Sequence, residues 1–297
     1  MPAAKLSIVD NQLSSPLNLI MPGDQVPALA MGMPELLKAM TDETIGFREI
    51  TEIISRYPDI SSRLLFLSNS AWAAPVVPVS SIVVACSTLG LSVVRGISLA
   101  LSIATPFNPM RCNGFDSHRF WLSALMVADT AKLLATKSRS IGSELLATIH
   151  TAGIIHNIGM LWLADRLPLQ TSAALHESLL DPTVSVNDGL LKHCGMSYPM
   201  VSGRLSQVWG FPDILTATLL YHNDTDYHGP YADIAATVGF AARLVDYALE
   251  GNTLKTFDDE RIDRLGLQAD QLDTIIARLT DKLEDSSKMV EAFLSAA

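Results

Sequence analysis

An all-α fold is what this sequence predicts, on three observations. Apolar residues recur at helical spacing from Met33 to the C-terminus. Capping and stop residues punctuate them, and strand signals are nearly missing. Phe47, Ile50, Ile53 and Ile54 share one helical face, ended by Tyr57-Pro58. Asp59 is placed to cap the next helix, which carries Leu64, Leu65 and Leu67 and stops near Asn69-Ser70. Ser80 or Ser81 can cap Ile82 to Leu89, Gly90 supplies a stop, and Ser92 can open a helix reaching about Ala104. Asp116 opens a long helix through Phe120, Trp121, Leu125 and Leu134. A strongly apolar stretch then runs from Ser143 to Leu167, where Gly153 and Gly159 suggest close helix approach. Further helices are predicted over Val186 to His193, Pro199 to Trp209, Pro212 to Tyr221, Ala232 to Leu249 and about Asp270 to Leu294. Pro199 and Pro212 suit first-turn positions. Val76 to Val79 is too short and Pro-interrupted for a strand, and no fixed-period repeat is present.

Composition bounds the function. In 297 residues, 48% are hydrophobic and 18% charged, which is the balance of a folded chain with room for a large core. A net charge of -10 with no Lys/Arg block disfavours nucleic acid as a partner. Three widely spaced cysteines, Cys86, Cys112 and Cys194, form no zinc or redox motif and read as small apolar residues in a reducing compartment. The N-terminus shows no basic segment leading into an apolar core, so a cytoplasmic location is expected. Leu64 to Val94 is 31 residues without a formal charge, but Pro75, Pro78 and many polar residues argue for two buried helices with a turn rather than membrane insertion. No Walker-type or Rossmann glycine pattern occurs, and no cofactor is expected.

Two blocks carry a resemblance. The first runs from Ile53-Ile54-Ser55-Arg56-Tyr57-Pro58-Asp59-Ile60 through Leu64-Leu65-Phe66-Leu67-Ser68-Asn69-Ser70-Ala71 to Ser80-Ser81-Ile82 and Thr88-Leu89-Gly90. The second comprises Phe120-Trp121, Ala152-Gly153-Ile154-Ile155-His156-Asn157-Ile158-Gly159, Trp209-Gly210-Phe211-Pro212 and Tyr221-His222-Asn223. In this order and spacing they resemble the HDOD family, a relative of the HD metal-dependent phosphohydrolases. One departure is Tyr57-Pro58, where the family usually has Asp-Pro. The resemblance spans roughly Ala28 to Ala248. It implies a compact multi-helix bundle in bacterial signal transduction, with no reaction common to the family. The expected organisation is an irregular N-terminal arm over 1–27, a helical domain over 28–248, and a C-terminal helical extension over 249–297 packed on the body.

The resemblance also implies where metal ligands would stand. An HD hydrolase holds a divalent metal with His and Asp, lowering the pKa of bound water. Here the first His position is Ser123, the central His-Asp pair is His156-Asn157, and the final Asp aligns with Ala242, with Asp233 and Asp246 elsewhere in that helix. One ligand of four keeps its chemistry. Asn157 and Ser123 offer neutral oxygens only, a poor set for a hard cation. His150, six residues before His156, would project about 120° away on a continuous helix and reads as structural.

Other constellations compete. His222, Asp224, Asp226 and His228 alternate, so an extended loop could aim all four one way as a ligand or weak metal site; alternatively they form a solvated interhelical turn. His193-Cys194 lacks an orienting third group, and Ser197 lacks the setting of a nucleophile elbow. Beside the apolar stripe of the last helix, Arg278, Asp281, Lys282, Glu284 and Asp285 line a mixed-charge side that could meet a partner. The leading expectation is a non-enzymatic signalling module with a degenerate HD site, whose partner is a regulatory protein. Two alternatives remain open: a metal-dependent phosphohydrolase with a relocated ligand set, and a small-molecule (nucleotide) sensor using the vestigial pocket.

Overall fold

The structure, a computed structural model, describes residues 26–29, 35–36, 38–39, 42, 44–138, 141–254 and 257–295. Most of the arm expected over 1–27 lies outside the described residues. All regular structure among the described residues is helical, as the periodicity predicted. The chain divides into two compact units that interleave along the sequence. One is built from Pro106–Phe115, Ile155–Ala236 and residues 26–29. The other contains Asp116–Ile154, Thr237–Ala297 and the segment ending at Thr105.

The second unit opens with α1 (Phe47–Ile54), which buries Ile50, Ile53 and Ile54. Then come α2 (Pro58–Ser68), α3 (Ile82–Leu89) and α4 (Leu91–Ala104). Asp59 does not cap α2. Pro58 takes the first turn, Tyr57 is the cap residue, and Asp59 sits inside the turn. Ser81 occupies the cap of α3 without a side-chain bond. Gly90 adopts φ 81° and ψ 153°, a backbone state that side chains rarely tolerate, and α3 and α4 bend by 110° across it. The family-like Asn69 acts as a clamp. Its amide nitrogen donates to Leu65 O (2.9 Å) and Val79 O (2.8 Å), and its oxygen accepts from Val79 N–H (2.7 Å). Two of these bonds, both to Val79, close the loop between α2 and α3, and the third anchors the side chain on α2. Arg95 on α4 donates to the carbonyls of Ala39, Asp42 and Ile45.

The long helix α5 (Ser117–Lys137) starts at Asp116, whose carboxylate accepts from Arg119 N–H at 2.9 Å, the predicted cap. It packs against α6 (Leu146–Ile155) through Gly153, where a Cβ would overlap the Ala128 backbone. Close helix approach is thus the role of Gly153. After α12 (Ala232–Leu249) and the short α13 (Arg261–Leu265), the last helix, α14 (Ala269–Ser295), lies against α5. It buries Ile275, Leu279, Met289, Val290 and Phe293, and Phe293 meets Trp121 edge-on at 5.6 Å. Part of its polar side is used within the chain. Lys282 pairs with Asp129 at 2.7 Å, and Asp285 accepts from Trp72 Nε1–H at 3.0 Å.

In the first unit, α7 (Gly159–Arg166) is followed by α8 (Pro168–Leu180), a helix not read from the sequence, and α9 (Val186–Cys194). α8 and α9 form a hairpin. Ser185 caps α9 by accepting from Asp188 N–H, and Gly195 ends it at φ 73°. Next are α10 (Tyr198–Val208) and α11 (Asp213–Tyr221), packed on each other. Pro199 lies in the first turn of α10, whereas Pro212 is the cap of α11 rather than its first residue. Trp209 Nε1–H donates to Pro27 O at 2.9 Å. The apolar stretch Ser143–Arg166 is long and apolar enough to cross a membrane, and 83% of its 18-residue apolar window is buried inside the protein.

Candidate functional site

His156 and Asn157 do not continue α6. They begin a turn, with Ile158 N–H bonded to Ile155 O and Met160 N–H to Asn157 O, before α7 starts at Gly159. Ser202 on α10 locks this turn by accepting from Gly159 N–H (2.9 Å) and donating to His156 O (3.1 Å). A Cβ on residue 159 would overlap the Tyr198 carbonyl oxygen and crowd Ser202. Glycine is therefore required by contact between α7 and α10, not by backbone dihedrals.

The turn delivers the His156 ring into a closed aromatic cluster. His156 is 2% exposed, His222 is 0% and Tyr198 is 9%. The two imidazoles meet edge-on, with centroids 5.5 Å apart and planes at 88°, and the Tyr198 ring lies 6.4 Å from His156. His222 ends α11, and its Nδ1 faces Leu219 O at 3.0 Å. A carbonyl oxygen only accepts, so Nδ1 carries the proton. In the neutral ring Nε2 then accepts from Tyr198 Oη–H at 3.4 Å, and that oxygen in turn accepts from Asn223 Nδ2–H at 3.2 Å. One directed chain runs from Asn223 through Tyr198 and His222 to a helix carbonyl. Sequence reading placed His156 and His222 in separate candidate sites, yet the fold brings them together.

The remaining loop residues go elsewhere. Asp224 N–H donates to Tyr221 O, and its carboxylate accepts from Asp226 N–H at 3.1 Å, which makes a tight turn rather than an extended loop. The Tyr221 and Tyr227 rings stack at 3.9 Å and 7°, and Tyr227 Oη–H donates to Pro230 O. Asp224, Asp226 and His228 are exposed while His222 is enclosed, so the four do not converge. Among the described residues no three His, Cys, Asp or Glu side chains gather as metal ligands. Of the other two implied ligand positions, Ser123 on α5 and Ala242 on α12 are both buried in the second unit. The donor set at the four positions is one imidazole, one amide, one hydroxyl and a methyl group. This chemistry does not fit a divalent metal.

The second unit holds a charged cluster that sequence reading missed. His150 on α6 is 8% exposed, and its Nε2 lies 3.4 Å from Asp129 Oδ1 and 3.3 Å from Ser92 Oγ. Burial alone would raise the Asp129 carboxyl. Hydrogen bonds from His150 and Lys282 more than reverse this and hold it at about 2. Both ring contacts fall on the same nitrogen, so this is no relay of serine, histidine and aspartate. Asp246 on α12 behaves oppositely, pushed up to about 6 by burial despite Arg119 nearby. The only signal for the Asp129 cluster was the alternation of charge on α14, which does not name a partner 153 residues away. On α9, His193 bonds Glu177 at 2.7 Å rather than Cys194, and burial pushes the Cys194 thiol up. That leaves no activated nucleophile at His193-Cys194.

Comparison with known proteins fits this architecture. No curated protein matches the chain. A structure of a Marinobacter aquaeolei VT8 protein named for signal transduction superposes with a TM-score of 0.78 at 18% identity, covering 97% of this chain and 62% of that one. The chain therefore spans less than two thirds of that relative. An HDOD domain protein of unknown function from Geobacter sulfurreducens gives 0.68 at 21% identity, covering 90% and 93% of the two chains. A Shewanella amazonensis SB2B protein named as a phosphohydrolase gives 0.67 at 23%, covering 93% and 97%. At these identities the likeness establishes the fold. The sequence profile of the HDOD domain matches residues 26–225, and the chain belongs to the HDOD domain family.

Proposed function

We propose that this chain is a non-catalytic module of bacterial signal transduction that acts by binding a regulatory protein. The observation that carries the reading is the chemistry at the HD ligand positions. Ser123, Asn157 and Ala242 bring no negative charge, and the surviving imidazole of His156 is packed edge-on against His222 inside a closed cluster. A metal-bound water needs an open coordination position beside several anionic or imidazole ligands. The relocated ligand set gains no support, because His222 is enclosed while Asp224, Asp226 and His228 face solvent. A cytoplasmic setting suits three free cysteines, two of them buried.

The test is a phosphohydrolase assay on purified protein over mono- and diesters, including cyclic nucleotides, with iron, manganese and magnesium supplied in turn. Background turnover is expected throughout. Hydrolysis that chelator and His156→Ala both abolish would refute the reading. A thermal-shift screen over the same nucleotides separates a ligand sensor, which would show a concentration-dependent rise for one of them.

A further inference from the structure

The last helix, α14, is held unevenly along its length. It buries Ile275 and Leu279 in its first half and Met289, Val290 and Phe293 near its end, and no residue from 280 to 288 is buried. Polar side chains fix that middle stretch instead. Lys282 pairs with Asp129 of α5, Asp285 accepts from Trp72, and Ser287 O accepts from His118 Nε2–H at 3.3 Å. Exposed contacts of this kind gain little over water, so a helix centred on them opens at low cost. Its root is fixed more firmly. Phe257, in the segment before α13, packs edge-on against Phe240 and Tyr247 of α12, and Arg243 of α12 pairs with buried Asp259 at 3.2 Å. Gly266 then ends α13 at φ 63°, and α14 starts at Ala269. A pivot thus lies between a fastened root and a lightly held helix.

What α14 covers is a single stripe of α5. From Phe120 to Ala131 every residue of α5 is buried except Trp121, Leu125 and Asp129, which stand four residues apart on one face. Trp121 meets Phe293 and Asp129 meets Lys282, so both ends of the stripe take their partner from α14. We propose that α14 is a hinged strap over this stripe, and that the regulatory protein displaces it with an amphipathic helix of the same pattern. That helix would offer an aromatic ring to Trp121 and an ammonium group to Asp129. α14 itself supplies the template, with Lys282 and Phe293 eleven residues apart, about three helical turns. The proposal rests on the reading of the chain as a protein-binding module.

The probe is a fluorescein-labelled peptide with the sequence of residues 269–295, titrated into the full chain. The free helix competes with a tethered copy of itself, so binding to the wild type should be weak. Lys282→Ala with Asp285→Ala in the chain loosens only the tethered copy and should tighten peptide binding by about fivefold or more. Glu284→Ala with Lys288→Ala removes an exposed ion pair within α14 and should change the affinity by less than about twofold. In hydrogen exchange of the wild type, the amides of α14 should exchange at least about tenfold faster than those of α5. No binding to the first variant, an equal rise in both variants, or equal protection of α14 and α5 overturns the proposal. Such a failure would leave the non-catalytic reading standing, whereas chelator-sensitive hydrolysis would refute that reading without altering peptide binding.

Discussion

His150 and His156 sit six residues apart in one apolar stretch and are almost equally buried, yet they keep opposite company. His150 faces a carboxylate that Lys282 also grips, so its surroundings are ionic and tie α6 to α5 and, through Asp129, to α14. His156 faces the rings of His222 and Tyr198, which are themselves linked by hydrogen bonds to a helix carbonyl. The contrast teaches that burial of a histidine does not by itself make a site. In an HD hydrolase the second of these positions must be the ionic one, because the metal demands it. Here the ionic contacts lie at His150, where they fasten helices, and His156 packs among aromatic rings.

Predictions that break or sharpen this contrast run from large to small. The largest concerns the frame of the aromatic cluster. Gly159→Ala drives a methyl into the Tyr198 carbonyl and should cost about 3 kcal/mol of stability by denaturant unfolding. A near-neutral result would mean that α7 and α10 are not locked as described.

Next comes the pair of carboxylates in the ionic unit, whose shifts have opposite signs. Asp246 has a folded-state value raised to about 6, so the unfolded chain ionises first and stability falls as pH rises from about 4 to 6. Asp246→Asn should therefore stabilise the protein by about 2 kcal/mol at neutral pH, and by almost nothing near pH 4. Thermal melts at the two pH values measure this directly. An equal gain at both would show that charge is not the cause.

Tyr198→Phe removes the hydroxyl between exposed Asn223 and buried His222 and should cost about 1.5 kcal/mol, the penalty for deleting a hydrogen bond to a buried imidazole. Asp129→Asn is the smallest. The wild-type carboxylate is held at about 2, so its contribution is present above the unfolded value and disappears as pH falls from about 4 toward 2. Because Asp129 is partly exposed, solvent screening limits the cost to about 1 kcal/mol near neutrality. A loss that persists unchanged at acid pH would contradict the ionic assignment.

Much of this fold was legible from local pattern. The Asp116 cap, the Gly90 stop and the spans of α12 and α14 follow from periodicity and capping, which act within a few residues. What escaped is what depends on distant partners. Pro168–Leu180 is not legible locally, because the apolar stretch before it ends at Leu167 and its own apolar spacing is weak. The break at His156-Asn157 arises because Ser202, 46 residues on, captures the His156 carbonyl and the Gly159 amide. Ser123, Asn157 and Ala242 were found only through family resemblance. Nothing local in the sequence joins His156 to His222 or to Tyr198.

The proposed function requires that several HD ligand positions, and not one, lack metal-binding chemistry. Elemental analysis of purified Asn157→Asp, with wild type alongside, tests it most directly. With Ser123 lacking an imidazole and Ala242 any ligand atom, background iron, manganese and zinc are predicted in both proteins. Stoichiometric metal in Asn157→Asp, released by chelator, would contradict the account.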